Sequence, residues 1–379
     1  MQAMNSLSEI IRAETARRGV LPFARFMELA LYHPGLGYYE TQMHSPGRRG
    51  DFYTSVSTGD LFGQLLAWRF AGWLEEMRIA ERGAQIIEAG AHDGKLAADI
   101  LKWLQLNRPK LFDQIEYSII EPSPRRQAWQ RETLEMFAPR VRWFSELQEL
   151  AKQGAVKPAI PHSEFRTPNL SGIIFSNELL DAFPVRRLGW DAANQKWFEW
   201  GVAVDGDKFM WMKLENAELP SSILNLPSSL LAVLPDGYTI ETSPAAQNWW
   251  REAAGVLSHG RLLAIDYGFT DGEMFSPGRI RGTLRAYFRH HATDNVLANP
   301  GGQDLTAHVN FSAIRKTGED AGLLTEFLGS QAQFLVEILA DAAKTNSFGE
   351  WNAARTRQFQ TLTHPEHLGR AFRVLVQTP

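Results

Sequence analysis

The chain predicts an α/β fold: a mainly parallel sheet with helices on both faces, preceded by an N-terminal cap and interrupted by two insertions, one of them an antiparallel β meander. Three observations carry this expectation. From Gln85 onward, short apolar strands alternate with amphipathic helices. The first strand runs into a glycine-containing turn that opens a helix. Near Val185 the rhythm breaks into short strands joined by Asp/Asn/Gly-rich turns, and the α/β pattern resumes afterwards.

Residues 1–82 read as the cap. Leu7, Ile10 and Ile11 among Glu9, Arg12 and Glu14 have the spacing of a surface helix. Tyr32-His33-Pro34-Gly35-Leu36-Gly37-Tyr38-Tyr39 and Gly50-Asp51-Phe52-Tyr53-Thr54-Ser55 are punctuated as loops, and Leu61, Leu65, Leu66, Phe70 and Trp73 recur at helical core spacing. Residues 83–379 form the core. Strands are expected at 86–88, 117–120, 141–144, 172–175, 262–266, 325–328 and 372–376. Leu96, Ala97, Ile100, Leu101 and Leu104 mark an amphipathic helix, and further helices are expected at 127–137, 245–257 and 331–342. The insertions lie at about 185–240, with strands at 185–188, 197–204 and 209–214, and at about 267–310. Trp190, Trp197, Trp200 and Trp211 are expected to pack the meander.

Composition narrows the function classes. The 379 residues are 44% hydrophobic and 22% charged, ordinary for a folded protein. Lys plus Arg is 39 against Asp plus Glu at 43, a net charge of −4 that draws the chain toward neither nucleic acid nor anionic membrane. With no cysteine, disulfides, thiolate-held metals and a thiol nucleophile are excluded. No apolar stretch approaches the ~20 residues that cross a bilayer. The N-terminal segment has no apolar signal core and is too acidic for a transit peptide, so a cytoplasmic protein is expected. His290, His291 and His308 lack ligand-spaced carboxylates, so no metal site is expected. Arg279, Arg281, Arg285 and Arg289 read as a solvated or acidic-protein-docking stretch rather than an RNA surface.

The chemistry is expected at the carboxyl ends of the strands. Glu88-Ala89-Gly90-Ala91-His92-Asp93-Gly94 joins strand to helix, where glycine permits close approach and a helix start offers free N–H groups. A dinucleotide fingerprint would need glycine at positions 92 and 95, which are His92 and Lys95. The methyltransferase pattern E-x-G-x-G-x-G is matched by Glu88, Gly90 and Gly94 and broken only by His92. Glu121, ending the second strand, is placed to accept hydrogen bonds from a ribose diol. The fourth strand delivers Asn177-Glu178-Leu179-Leu180-Asp181-Ala182-Phe183-Pro184, with Glu178 and Asp181 on one face if a helix begins there.

Four segments carry a resemblance: Tyr32-His33-Pro34 through Gly37-Tyr38-Tyr39; Gly50-Asp51-Phe52-Tyr53-Thr54-Ser55 with Phe62-Gly63; Asn177-Glu178 through Asp181-Ala182-Phe183-Pro184-Val185; and Gly282-Thr283-Leu284-Arg285-Ala286-Tyr287 onward to Asn299-Pro300-Gly301, Gln303-Asp304 and Thr306-Ala307-His308-Val309. They make the chain similar to the MidA-like family of class I S-adenosylmethionine-dependent methyltransferases, which includes a mitochondrial protein-arginine methyltransferase of complex I assembly. The resemblance implies a Rossmann-like seven-stranded sheet ending in an antiparallel hairpin. It implies S-adenosylmethionine as cofactor, held by Glu88, Gly90, His92, Gly94, Glu121, Asn177, Tyr53 and Thr54. Transfer to a protein arginine would use Glu178 first and Asp181 second as carboxylates that grip the guanidinium, with Asp51, Tyr53 and Asp304 closing the pocket. The partner implied is a protein, in the family's terms a respiratory-complex subunit, and a homodimer is compatible with the sequence.

Three positions depart from the family pattern: Ala91-His92 replaces Pro-Gly, Asn310 replaces Asp after His-Val, and Thr54-Ser55-Val56-Ser57 replaces Thr-Ser-Pro-Glu. They keep a second expectation open, a non-catalytic assembly or binding protein that retains the fold with a degraded cofactor loop.

Overall fold

The structure is a computed structural model and describes residues 6–41, 54–77, 84–153, 170–214, 218–219, 223, 226–288 and 291–379. The chain divides into two compact units. One comprises Met1–His44, Asp181–Gln247 and Phe269–Asn310; the other comprises Ser45–Leu180, Asn248–Gly268 and Phe311–Pro379.

The second unit holds the parallel sheet. Its elements are α1 (Leu61–Glu76), β1 (Ala84–Ala89), α2 (Lys95–Asn107), β2 (Ile115–Ile120), α3 (Pro124–Thr133), β3 (Val141–Phe144), β4 (Leu170–Asn177), β5 (Leu257–Phe269), α4 (Phe311–Asp320), β6 (Leu324–Ser330), α5 (Gln331–Ala343), α6 (Ala353–Thr363) and β7 (Phe372–Thr378). Strand order is β6-β7-β5-β4-β1-β2-β3. The β3, β2, β1, β4 and β5 strands are mutually parallel, and β7 is antiparallel to both β5 and β6. These seven strands form the main path of the sheet, with the expected closing antiparallel hairpin. Sheet order reverses between β1 and β4: from β1 the chain steps outward to β2 and β3, and from β4 outward to β5.

Alternation along the strands explains the layers. Ile86, Ile119, Ile173, Phe175, Leu263, Ile265, Val374 and Val376 point to one face and join one apolar cluster with Leu65, Phe70 and Trp73 of α1, Ile100 and Leu104 of α2, and Phe334 and Ile338 of α5. Ile87, Ile120, Ile174, Leu262 and Leu375, at intervening positions, are buried too, as a sheet covered on both faces requires. Helix α1, expected within the cap, belongs to this core because one whole side of it is apolar.

In the other unit the meander is present. Arg186–Asp191, Lys196–Asp205 and Lys208–Leu214 pair antiparallel in sequence, with Thr239–Thr242 and Leu21–Pro22 added. Trp190 and Trp197 are buried in its apolar cluster, with ring centroids 5.4 Å apart. The helix Leu7–Arg18 starts on a capping box in which Ser6 and Glu9 exchange side-chain and backbone hydrogen bonds. His291–Thr293, Arg285–Phe288 and Asp304–Thr306 form a second small sheet.

One helix differs from its expected position. The 127–137 helix starts earlier, at Pro124, because the Ser123 hydroxyl accepts the Arg126 N–H as an N-cap and proline suits the first turn; beyond Thr133 the chain tightens into a 3₁₀ stretch, Glu135–Arg140.

Candidate active site

Strand register brings the expected residues to one edge of the sheet. Ala89 of β1 stands level with Ile120 of β2 and Ser176 of β4, and Asn177 is level with Ile265 of β5. The segments that leave the first three of these strands, beginning at Gly90, Glu121 and Glu178, therefore emerge side by side, with Asp266 of β5 next to the level of Asn177. The first and third flank the reversal of strand order, where open α/β sheets bind ligands.

The β1–α2 loop alternates left-handed residues: φ is +74° at Gly90, +47° at His92 and +83° at Gly94. The conformation that the pattern assigns to glycine is thus adopted at His92, at a strain of about 1 kcal/mol for a side-chain-bearing residue. At Gly90 a Cβ would stand 2.8 Å from Leu179 Cδ1, a side-chain end that can shift, so φ more than space favours glycine there. Asp93 Oδ1 accepts the Lys95 N–H at 3.0 Å at the start of α2. Beneath the loop, Glu88 is buried and accepts from the Tyr117 hydroxyl at 2.6 Å. Burial raises its carboxyl from 4.5 to about 7, with the hydroxyl acting against the rise and Asp93 adding to it.

Glu121 is 2% exposed. Its Oε1 accepts the Ser123 N–H at 3.1 Å, and its Oε2 accepts from Gln130 Nε2 at 3.2 Å with the Arg126 guanidinium at 3.5 Å. The same Gln130 Nε2 donates to the His92 carbonyl at 3.0 Å. Each carboxylate oxygen has two acceptor sites, so Glu121 keeps capacity for a further donor.

Glu178 lies at φ +54°, outside helical space. Its N–H donates to Ile265 O at 3.0 Å, and its Oε1 accepts from Asn177 Nδ2 at 3.1 Å. The turn after it is fastened by Asp266, fully buried within β5, whose Oδ2 accepts the N–H groups of Leu179 at 3.1 Å and Leu180 at 2.7 Å. The expected shared helix face of Glu178 and Asp181 is therefore corrected. No helix begins at Glu178, because its left-handed backbone and the Asp266 clamp turn the chain instead; only Leu180–Ala182 forms a single 3₁₀ turn.

The remaining predicted residues fall elsewhere. Thr54 is buried and exchanges hydrogen bonds with Ser57, while the adjacent Ser55 hydroxyl donates to Gln331 Oε1 at 2.9 Å. Tyr53, Asp51, Arg289 and His290 lie outside the described residues. Asp181 is buried in the other compact unit, where its backbone carbonyl accepts the Ala307 N–H at 3.0 Å. In that unit the Tyr39 hydroxyl donates to Asp304 Oδ1 at 2.9 Å; burial foremost, then the charges of Asp304 and Asp181, push the phenol well above its ordinary value. His308 is pushed down to about 4 by burial and by Arg279 and Arg285. Sequence reading missed Asp266 and Gln130. An acid closing an apolar strand was the signal for Asp266; Gln130 sits in a helix too polar to mark one glutamine out.

Known proteins share this arrangement. A model of the S-adenosyl-L-methionine-dependent methyltransferase family matches residues 65–328. A Burkholderia thailandensis protein whose crystal structure holds S-adenosyl-homocysteine superposes with a TM-score of 0.80 at 32% identity, over 98% of this chain and 92% of that one. A native crystal structure from the same organism gives a TM-score of 0.77 at 33% identity, over 98% and 91% of the two chains. Among curated proteins, the mitochondrial protein arginine methyltransferase NDUFAF7 homolog of Drosophila melanogaster is 28% identical over 99% of this chain and 85% of its own length. The human mitochondrial protein arginine methyltransferase NDUFAF7 is 26% identical over 95% and 80%. The chain belongs to the S-adenosyl-L-methionine-dependent methyltransferase family, in its MidA-like branch. The expectation of a cytoplasmic address is corrected by these relatives, which are named as mitochondrial proteins.

Proposed function

Taking that membership as the premise, we propose that the chain transfers a methyl group from S-adenosylmethionine to the guanidinium of an arginine in a protein, in the resemblance's terms a respiratory-complex subunit. One observation supports the reading: Glu178, in a non-helical turn fastened by Asp266, leaves the end of β4 beside the end of β1 from which the glycine loop leaves, at the reversal of strand order. The arginine acceptor is supported by the names of the fly, fish and human relatives.

The edge fits the cofactor. Asn177 Oδ1 and His92 Nδ1 are buried without a hydrogen bond among the described residues, which leaves two polar atoms for a polar ligand to meet. The loop opens α2 through left-handed residues at Gly90, His92 and Gly94, and Glu121 retains acceptor capacity for ribose hydroxyls. In this reading Glu88 shapes the loop from below through Tyr117, and Asn177 borders the cofactor. Bound S-adenosylmethionine supplies an electrophilic methyl group; the protein's task is orientation and exclusion of water. Arginine stays protonated, so Glu178 has to hold the N–H groups that do not react, aim the one nitrogen that does, and stabilise the positive charge until a proton leaves.

Glu178→Gln keeps the shape and removes the charge. The expected result is S-adenosyl-homocysteine affinity within about threefold of wild type by calorimetry, with methyl transfer to an arginine-containing protein acceptor lowered by roughly a hundredfold or more. Unchanged transfer removes Glu178 from the chemistry. A wild-type protein that binds no S-adenosyl-homocysteine favours instead the assembly-protein reading, to which the strained His92 points.

A further inference from the structure

Gln130 is fully buried although its helix, α3, is strongly polar. Its amide is spent on three partners. Nε2 donates to the His92 carbonyl at 3.0 Å and to Glu121 Oε2 at 3.2 Å, and Oε1 accepts from the Trp143 indole N–H at 3.0 Å. We propose that Gln130 is a positioning residue for the cofactor: its amide ties the β1–α2 loop to the Glu121 carboxylate, so that the two groups that hold S-adenosylmethionine keep one fixed geometry. The inference rests on the reading of the loop and Glu121 as those holders.

The chemistry of the tie is specific. His92 occupies a left-handed conformation that its side chain disfavours, and a donor on its carbonyl holds the peptide in that orientation. Turning that peptide would re-aim the loop's N–H groups. At the other end, the neutral amide shares Glu121 Oε2 with the Arg126 guanidinium at 3.5 Å and orients the carboxylate, while Oε1, which among the described residues accepts only the Ser123 N–H, keeps an acceptor site for a ribose hydroxyl. Trp143, on β3, anchors the glutamine from behind, so the amide cannot rotate away. A broken pattern at position 92 is thereby compensated from another strand–helix unit, by a contact that spacing along the chain does not reveal.

Calorimetric titration with S-adenosyl-homocysteine tests the tie on the full chain, using wild type, Glu121→Ala, Gln130→Met and Gln130→Glu. Gln130→Met fills the space and donates nothing. It should weaken binding by roughly ten- to a hundredfold and raise KM for S-adenosylmethionine to match, with kcat at saturating cofactor and KM for the acceptor within about twofold of wild type. Gln130→Glu, nearly identical in shape and still an acceptor for Trp143, should weaken binding at least as much; where the methionine variant does not fold, Gln130→Leu, which likewise donates nothing, takes its place. In Gln130→Met, Glu121→Ala should have a smaller effect than in wild type, because the two act as one unit. A Gln130→Met protein that melts earlier yet binds at wild-type affinity overturns the tie and leaves Gln130 a structural residue; so does loss of binding confined to Gln130→Glu, which is charge repulsion alone. If Glu121→Ala binds as tightly as wild type, the fault lies in the underlying reading of the site.

Discussion

A single buried carboxyl gives this sheet a pH signature. Glu88, sealed beneath the loop, has its carboxyl raised from 4.5 to about 7 by burial. Below the unfolded value both states carry the proton, and Glu88 contributes nothing to the slope. Between about 4.5 and about 7 the unfolded chain releases it while the folded chain keeps it, so stability falls as pH rises through that window and levels off above it. Glu88→Gln stays neutral throughout. Its urea midpoint is expected to lack the part of the decline that wild type shows across this range, and parallel curves would mean that Glu88 is ionised in the fold. The residue type was legible in the sequence, as the acid that opens the glycine pattern. Its pairing with Tyr117 was not, because that contact depends on the alignment of two strands separated by a helix.

Among the elements, the tightest constraint is the junction of β4 with its neighbours. At Gly172 (φ +148°) a Cβ would stand 2.0 Å from the Gln85 carbonyl oxygen of β1, a backbone atom that cannot yield without parting the strands. Gly172→Ala is expected to lower stability by at least about 3 kcal/mol in a denaturant melt, the upper end of overpacking in a core. Gly72→Ala, in α1 with open space around the new methyl, should leave stability equal or raise it by roughly 0.5–1 kcal/mol. Similar melts for the two variants would contradict the close strand approach. Elements with strong periodicity were readable: α2 has one apolar face, and β1, β2 and β4 are apolar runs ended by polar residues. Ends were harder, because they are set by caps and clamps. Pro124 began α3 three residues before its expected start, and Asp266 turned the chain after Glu178, where a helix would have put Glu178 and Asp181 on one face.

For the molecule as a whole, a ligand that binds only the folded state stabilises by mass action, by about 2.7 kcal/mol at a hundredfold excess over Kd. S-adenosyl-homocysteine is therefore expected to raise the melting temperature in proportion to the logarithm of its concentration, while NAD, whose glycine fingerprint the chain lacks at His92 and Lys95, should not. A shift with NAD and none with S-adenosyl-homocysteine would reverse the cofactor assignment. Two compact units account for the interrupted sequence pattern: the parallel sheet is assembled from three stretches of chain, and the two insertions fold with the N-terminal residues into a unit that has its own sheets and apolar clusters. Sequence by itself determined the α/β alternation, the meander, the glycine loop and the acids at strand ends, because each depends on residues close together along the chain. Only the tertiary structure decided that Gln130 would reach from α3 to both His92 and Glu121, that Asp266 would hold the Glu178 turn, and that α1 would enter the core. Apart from Gln130 with Glu121, nine positions apart, those contacts join residues tens to hundreds of positions apart, and strand order and register, not local spacing, determine which of them meet.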